Sequence, residues 1–234
     1  YNHPDIYPTE LEYIEAFKQF AKQSEMIFAH GETKEKINLK KTVLNTKLDD
    51  YKLIGRVNRE NAQLVVEAMQ TLSNIPHARL IDVMNTFPGV SRRFELVARG
   101  LYSDYAHTPE KILGALQMAR EVAGDNVVVI YEGLHNTRQH FIREQLAELF
   151  KGVKVLYVVP SYRAREDENL QNLTPSVLCD TIIKYPNSRL PMKLDEKLKQ
   201  SIKAHQDSGD LVLALTAGGG DSLDEWLRAE FNKI

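Results

Sequence analysis

One cysteine, Cys179, stands in 234 residues, so no disulfide can form within the chain, and a reducing, cytoplasmic setting fits. Charge of either sign is barely in excess. Thirty Lys and Arg meet 32 Asp and Glu, a formal −2, which gives no case for a nucleic-acid partner or an anionic membrane. The longest apolar runs, Val127–Tyr131 and Leu211–Ala214, are far too short to span a bilayer. No signal peptide is visible. No G-x-x-x-x-G-K-[ST] occurs, so no P-loop cradles nucleotide phosphates here. Internal repeats and low-complexity tracts are missing too. The first residue is Tyr1, not Met, and the opening Asn2-His-Pro-Asp5 is polar, which reads as a fragment whose natural start lies upstream.

What is present suits one large or two modest globular domains, with an ordinary 43% apolar content. Residues 1–8 read as a loop. Thr9 is an N-cap with Glu12 completing a capping box, and Leu11, Ile14, Phe17 and Phe20 then repeat at helical spacing. Met26–Ala29 reads as a short buried strand, and residues 31–50 as exposed short strands and turns. A helix with a buried face at Ala62, Leu64/Val65, Ala68/Met69 and Leu72 spans 58–72, and a shorter one spans 76–86. Phe87-Pro-Gly89 cannot continue a helix and reads as a hinge.

Beyond the hinge, strand and helix alternate. Short strands carry Phe94, Leu96 and Val97, then residues 101–107, with a turn at Gly100. Helices are expected at 109–122, 137–150, 176–183, 195–206 and 222–231, and apolar strands at 126–131, 153–159 and 211–216. Nearly continuous apolar strands between helices predict a parallel sheet covered on both faces, a doubly wound, Rossmann-like α/β domain. Residues 1–88 contain too few strands to close a sheet and read as the tail of another α/β domain.

Several clusters can carry chemistry. Asp104, Tyr105 and His107 end a strand just before Pro109 opens a helix, which looks like a binding edge. A cap by Asp104 or Thr108 would be the plainer use. Arg138 opens a helix after a strand, where open α/β sheets bind ligands, and can grip a carboxylate bidentately, though an exposed surface arginine reads as well. Asn58 and Asn61 lie one turn apart at a helix start, able to face a base edge, or Asn58 is an N-cap. His3 and Asp5 suit a divalent cation, although a lone terminal histidine is commonly just solvated. Gly218–Gly220 reads first as a tight turn for close helix–strand packing. Residues 34–41 and 163–168 read as solvated faces, Cys179 as a small buried hydrophobe, and Trp226 and Phe231 as core. Arg92 and Arg93 read equally as structural groups at the hinge.

Taken together, Gly89-Val-Ser-Arg-Arg-Phe-Glu95 and Asp104-Tyr-Ala-His-Thr-Pro109 resemble the start of the C-terminal domain of the Mur ligases, in particular the branch that adds L-alanine to UDP-N-acetylmuramate. The resemblance implies that residues 1–88 are the end of the central ATP-binding domain and 89–234 the C-terminal Rossmann-like domain. It implies ATP and Mg2+ as cofactors, an acyl-phosphate route, and a missing N-terminal half that carries the P-loop. Gly55-Arg-Val-Asn-Arg-Glu-Asn-Ala62 is similar to the family element whose asparagines contact adenine, which implies that role for Asn58 and Asn61. Asn2-His-Pro-Asp5 is similar to the element whose histidine helps hold magnesium, which implies that role for His3; Asn2 stands where an aspartate is usual. Asp104, Tyr105 and His107 would face the active-site cleft, with Thr108 in place of a second histidine. Thr137 and Arg138 match the end of the loop that takes the incoming carboxylate, whereas Gly133, Leu134 and His135 replace its proline, histidine and arginine. Two other readings stand beside this one. One is the ligase that recycles murein tripeptide, to which Glu132, Asn136 and Thr137 correspond. The other is a non-catalytic nucleotide-binding or interaction module.

Overall fold

The computed structural model describes residues 6–37, 47–163, 166–182, 184, 186, 188–218 and 220–231. The chain divides into two compact units, Tyr1–Pro88 and Gly89–Ile234. No helix among the described residues is long and apolar enough to cross a membrane.

In the first unit, α1 (Glu10–Lys22) begins as its sequence dictates. The Thr9 N–H donates to Glu12 Oε2 at 2.9 Å, and the Glu12 N–H donates to Thr9 Oγ1 at 3.3 Å. The helix nevertheless buries no residue, and Leu11 and Phe20 stand exposed. The strand expected at Met26–Ala29 does not form; only Ala29 is buried and Met26 is 53% exposed. A strand needs a ladder partner, and the described part of this unit has no strand to offer one. The expected exposed strands at 31–50 are replaced by α2 (Gly31–Lys36), rich in Glu and Lys that favour helix, and by a 3-10 turn at Leu48–Asp50; residues 38–46 lie outside the described ones. In α3 (Arg56–Leu72) the buried face is Ala62, Gln63, Val66 and Glu67, not the apolar stripe through Val65, Met69 and Leu72, which stays exposed. Small Ala62 and Val66 pack with Tyr51 and with Leu80 of α4 (His77–Asn85). The more apolar face has no cover within the described unit.

The second unit is a doubly wound sheet. Its elements run β1 (Glu95–Ala98), β2 (Leu101–Asp104), α5 (Pro109–Ala123), β3 (Val127–Leu134), α6 (Asn136–Phe141), α7 (Arg143–Leu149), β4 (Val155–Tyr162), α8 (Pro175–Thr181), β5 (Arg189–Pro191), α9 (Glu196–Asp207), β6 (Leu211–Leu215) and α10 (Leu223–Phe231). Spatial order is β1-β2-β6-β3-β4-β5, with β1 antiparallel and every other neighbouring pair parallel. Alternate residues of β3 and β6 feed two cores. Val129 and Leu213 join Leu116, Leu146 and Leu178 of α5, α7 and α8 on one side. Val128 and Val212 join Leu198 and Leu227 of α9 and α10 on the other. Trp226 and Phe231 pack against that second core but are only partly buried.

Three boundaries differ from expectation. β3 continues three residues past Tyr131 and so carries Glu132 into the interior. The single helix expected at 137–150 breaks at Ile142, which ends α6 and precedes α7. The short strand β5, which contains a proline, was not expected; it pairs with β4 at the sheet edge, where proline is tolerated.

Candidate functional site

The loops at the C-terminal edge of the parallel strands hold most of the candidate side chains. Among the described residues, the four non-glycine ones with positive φ, Arg92, Phe94, His135 and Asp221, lie in the loops at this edge or in the segment that leads into β1. Such backbone costs energy and must be held by its neighbours. Asp104 does this for Phe94: its Oδ2 accepts the Phe94 N–H at 2.8 Å. Burial, opposed by that bond and by Arg93 and Lys111, pushes the Asp104 carboxyl up to about 6.

Tyr105 follows. Its ring lies under the guanidinium groups of Arg92 and Arg93, 4.8 and 5.5 Å from the centroid. Its carbonyl accepts from Arg93 Nη1 at 3.4 Å and lies 3.2 Å from His107 Nδ1. A carbonyl only accepts, so Nδ1 carries the hydrogen and Nε2 keeps a lone pair. Burial first, then the positive charges of Lys111, Arg138 and Arg93, pull the His107 imidazole down to about 4. At neutral pH it is an uncharged acceptor. Thr108 occupies the N-cap of α5, but its side chain makes no cap bond and its Oγ1 is buried without a partner.

Arg138 lies in the first turn of α6, just past the C-terminal end of β3. The start of α6 is fixed from the β4–α8 loop. Glu166 Oε2 accepts the N–H groups of Asn136 and Thr137 at 2.8 and 3.4 Å. The Asn136 amide donates to Gln171 O at 3.0 Å and accepts from Leu173 N at 2.8 Å. Thr137 Oγ1 accepts from Asp167 N at 3.2 Å, which ties that hydroxyl to the loop. Of residues 163–168, Arg163, Asp167 and Glu168 are exposed as expected and Glu166 caps a helix; Ala164 and Arg165 lie outside the described residues.

Glu132 is a site residue that the sequence reading used only for a motif match. It is 2% exposed, and its two oxygens accept Ala217 N at 2.8 Å and Leu223 N at 2.9 Å. It thereby staples both ends of the glycine-containing turn between β6 and α10. Burial pushes its pKa up, against the pull of those amides and Arg92. The available signal was one acid in an otherwise apolar strand. A Cβ on Gly218 would run into the Tyr162 ring, so this turn serves close packing, as its plainer reading had it. Arg92 donates to the Gly218 carbonyl and lies 3.5 Å from Asp224. Arg228 joins Asp224 to Glu95, whose carboxyl it holds down at about 2. Arg92 thus supports the edge from within this unit.

The structure brings Asp104, Tyr105, His107, Thr137 and Arg138 to one edge. Asn58 and Asn61 belong to the other unit. There Gly55, at φ +88, is the N-cap of α3 in place of Asn58. Asn58 Nδ2 donates to Ile54 O at 2.8 Å, and Asn61 is exposed. His3 lies outside the described residues. Among the described residues no three His, Cys, Asp or Glu side chains gather that could hold a metal ion.

A family model described as "Mur ligase, glutamate ligase domain" matches residues 92–218, from Arg92 through the β6–α10 turn. The chain belongs to the Mur ligase family. UDP-N-acetylmuramate–L-alanine ligase of Paenarthrobacter aurescens is 34% identical over 172 residues, covering 71% of this chain and 36% of that protein. The enzyme of the same name from Myxococcus xanthus is 30% identical, covering 76% and 39%. The crystal structure of UDP-N-acetylmuramate-alanine ligase from Thermotoga maritima shares the fold, with a TM-score of 0.57 at 23% identity, over 77% of this chain and 38% of that one. This Mur ligase chain therefore spans little more than a third of the length of the relatives it matches.

Proposed function

We propose that the chain is the C-terminal portion of an ATP-dependent, ADP-forming ligase of peptidoglycan synthesis that joins an amino-acid or peptide acceptor to the carboxylate of UDP-N-acetylmuramate. Residues 1–88 are then the end of the central ATP-binding domain and 89–234 the acceptor-binding domain. The names of the relatives point to L-alanine as acceptor. The observation that carries the reading is the placement of His107 and Arg138 in the segments that follow the parallel strands β2 and β3, at the edge where open α/β sheets bind ligands.

The chemistry of this edge fits the acceptor half of such a reaction. Arg138 can hold the acceptor carboxylate as a bidentate pair. With Nδ1 turned to the Tyr105 carbonyl, His107 Nε2 can accept a hydrogen bond from the acceptor's amine. A base of pKa about 4 orients an amine at neutral pH and takes up almost none of its proton. Orientation of the nucleophile is worth several orders of magnitude in rate when the carboxylate under attack is already activated. Asp104 and Tyr105 hold the loop that carries His107.

ATP, when bound to the complete enzyme, supplies the phosphoryl group that turns the muramate carboxylate into an acyl phosphate. Asn61, exposed in the second turn of α3, is free to meet adenine, while Asn58 already donates its amide to Ile54 O. The described residues do not assemble a metal site, so no step is assigned to magnesium through them. In the complete ligase, Arg138→Ala should raise the KM for the acceptor about ten-fold or more and leave the KM for ATP near its starting value. An unchanged acceptor KM would remove Arg138 from the site.

A further inference from the structure

Arg138 sits on a short and strained piece of chain. α6 has six residues, too few to hold a helix in water by its own hydrogen bonds, and it starts from His135, whose φ of +51 costs energy. The direction of Arg138 is therefore set by what clamps α6. The outer clamp is the β4–α8 loop, through Glu166 and Asn136. The inner clamp is Gln139, the next residue along, which is fully buried.

Burying an amide is costly unless its polar atoms find partners. Those of Gln139 find two on β3. The Tyr131 hydroxyl donates to Oε1 at 2.7 Å, and Nε2 donates to the Leu134 carbonyl at 3.4 Å. A carbonyl only accepts, so the amide nitrogen faces Leu134 and its oxygen faces Tyr131. Tyr131 is itself fully buried, and burial pushes its phenol up, so it keeps the proton it donates. The backbone N–H of Gln139 closes the turn by donating to His135 O at 3.1 Å. β3 makes room for this side chain. A Cβ on Gly133 would lie 2.6 Å from Gln139 Cδ and 2.6 Å from Ser161 Oγ. A leucine or methionine in place of Gln139 would fill the same space without desolvating an amide. What the amide adds is a bonded bridge from the body of β3 to the residue before His135.

We propose that Gln139 is a positioning residue for acceptor binding: the chain Tyr131–Gln139–Leu134 holds the His135 turn and so aims Arg138 at the acceptor carboxylate. This rests on the reading of Arg138 as the group that holds that carboxylate. Gln139 is shut off from the edge and acts through Arg138.

The test is the double variant Tyr131→Phe/Gln139→Met of the complete ligase. Replacing both partners of a buried hydrogen bond by apolar groups of similar shape is nearly neutral for stability, so the urea midpoint should stay close to that of the unaltered enzyme. The acceptor KM should rise about five-fold, with kcat and the KM for ATP within about two-fold of their starting values. The amides of α6 should exchange about ten-fold faster, and those of β6 at their original rate. Should the double variant not fold, Tyr131→Phe alone, which removes one hydroxyl, decides in the same way at about three-fold in KM. An unchanged acceptor KM in a folded variant, while Arg138→Ala raises it, would overturn the positioning role and keep the Arg138 reading. So would a loss spread equally over kcat and both KM values, the mark of general damage to the fold. An acceptor KM indifferent to Arg138→Ala would overturn both.

Discussion

In Gly89–Ile234 the two central strands are buried end to end, whereas in Tyr1–Pro88 the first helix buries nothing and α3 turns its more apolar face outward. Both regions have amphipathic sequences, and the difference lies in what there is to pack against. The second unit supplies a six-stranded sheet with helices on both sides, so each apolar stripe meets another. The described part of the first supplies helices and no strand, and its core reduces to Tyr51, Ala62, Val66 and Leu80. Periodicity therefore fixes a helix without fixing that the helix is covered.

The largest expected effect tests this contrast directly. Amide exchange across the intact chain should show β3 and β6 protected by several kcal/mol more than α1 and α3. Equal protection in the two regions would break the comparison. Next comes a pair of truncations followed by urea denaturation. Leu213→Ala, in the fully buried β6, should cost about 3 kcal/mol, and Val65→Ala, on the open face of α3, under about 0.5 kcal/mol. A Val65 cost approaching that of Leu213 would mean that the exposed stripe is covered in solution.

A third test concerns the staple at the sheet edge. Glu132→Ala strands the Ala217 and Leu223 amides and should cost about 2 kcal/mol, while Glu132→Gln, which keeps one acceptor oxygen, should cost about half as much. If the two variants match, the carboxylate does not hold the turn.

The elements of the second unit were largely legible because they are local. The apolar runs of β3 and β6, and the stops at Gly124, Gly152 and Gly209, with φ of +58, +78 and +79, need no distant partner to be read. Glu132 was not legible as a staple because its partners lie 85 and 91 residues away. The strand expected at Met26–Ala29 failed because a strand is defined by its neighbour, which no local pattern supplies. Asp104, Tyr105, His107 and Arg138 could be nominated singly from their positions at strand ends. Their meeting at one edge became visible only with the strand order.

The smallest expected effect is a pH dependence in which two groups oppose each other. Asp104 titrates near 6 in the fold, above its ordinary 3.8, so the native state holds its proton more tightly and stability falls as pH rises from about 4 to 6. His107 titrates near 4, below its ordinary 6.5, so the native state resists protonation and stability falls as pH drops from 6.5 towards 4. The slopes are of opposite sign and each is at most about 1.4 kcal/mol per pH unit, so the unaltered second unit should be nearly flat between pH 4 and 6. Asp104→Asn should expose a midpoint that rises with pH, and His107→Gln one that falls. The same slope in both variants would contradict the assignment.

The most direct test of the functional account is phosphate release by the complete ligase with ATP, magnesium and UDP-N-acetylmuramate, to which L-alanine or a peptide acceptor is added. The account predicts release that depends on an acceptor, at a KM that Arg138→Ala raises. Release from neither mixture would contradict the ligase reading and leave a Mur-family fold that binds without catalysing.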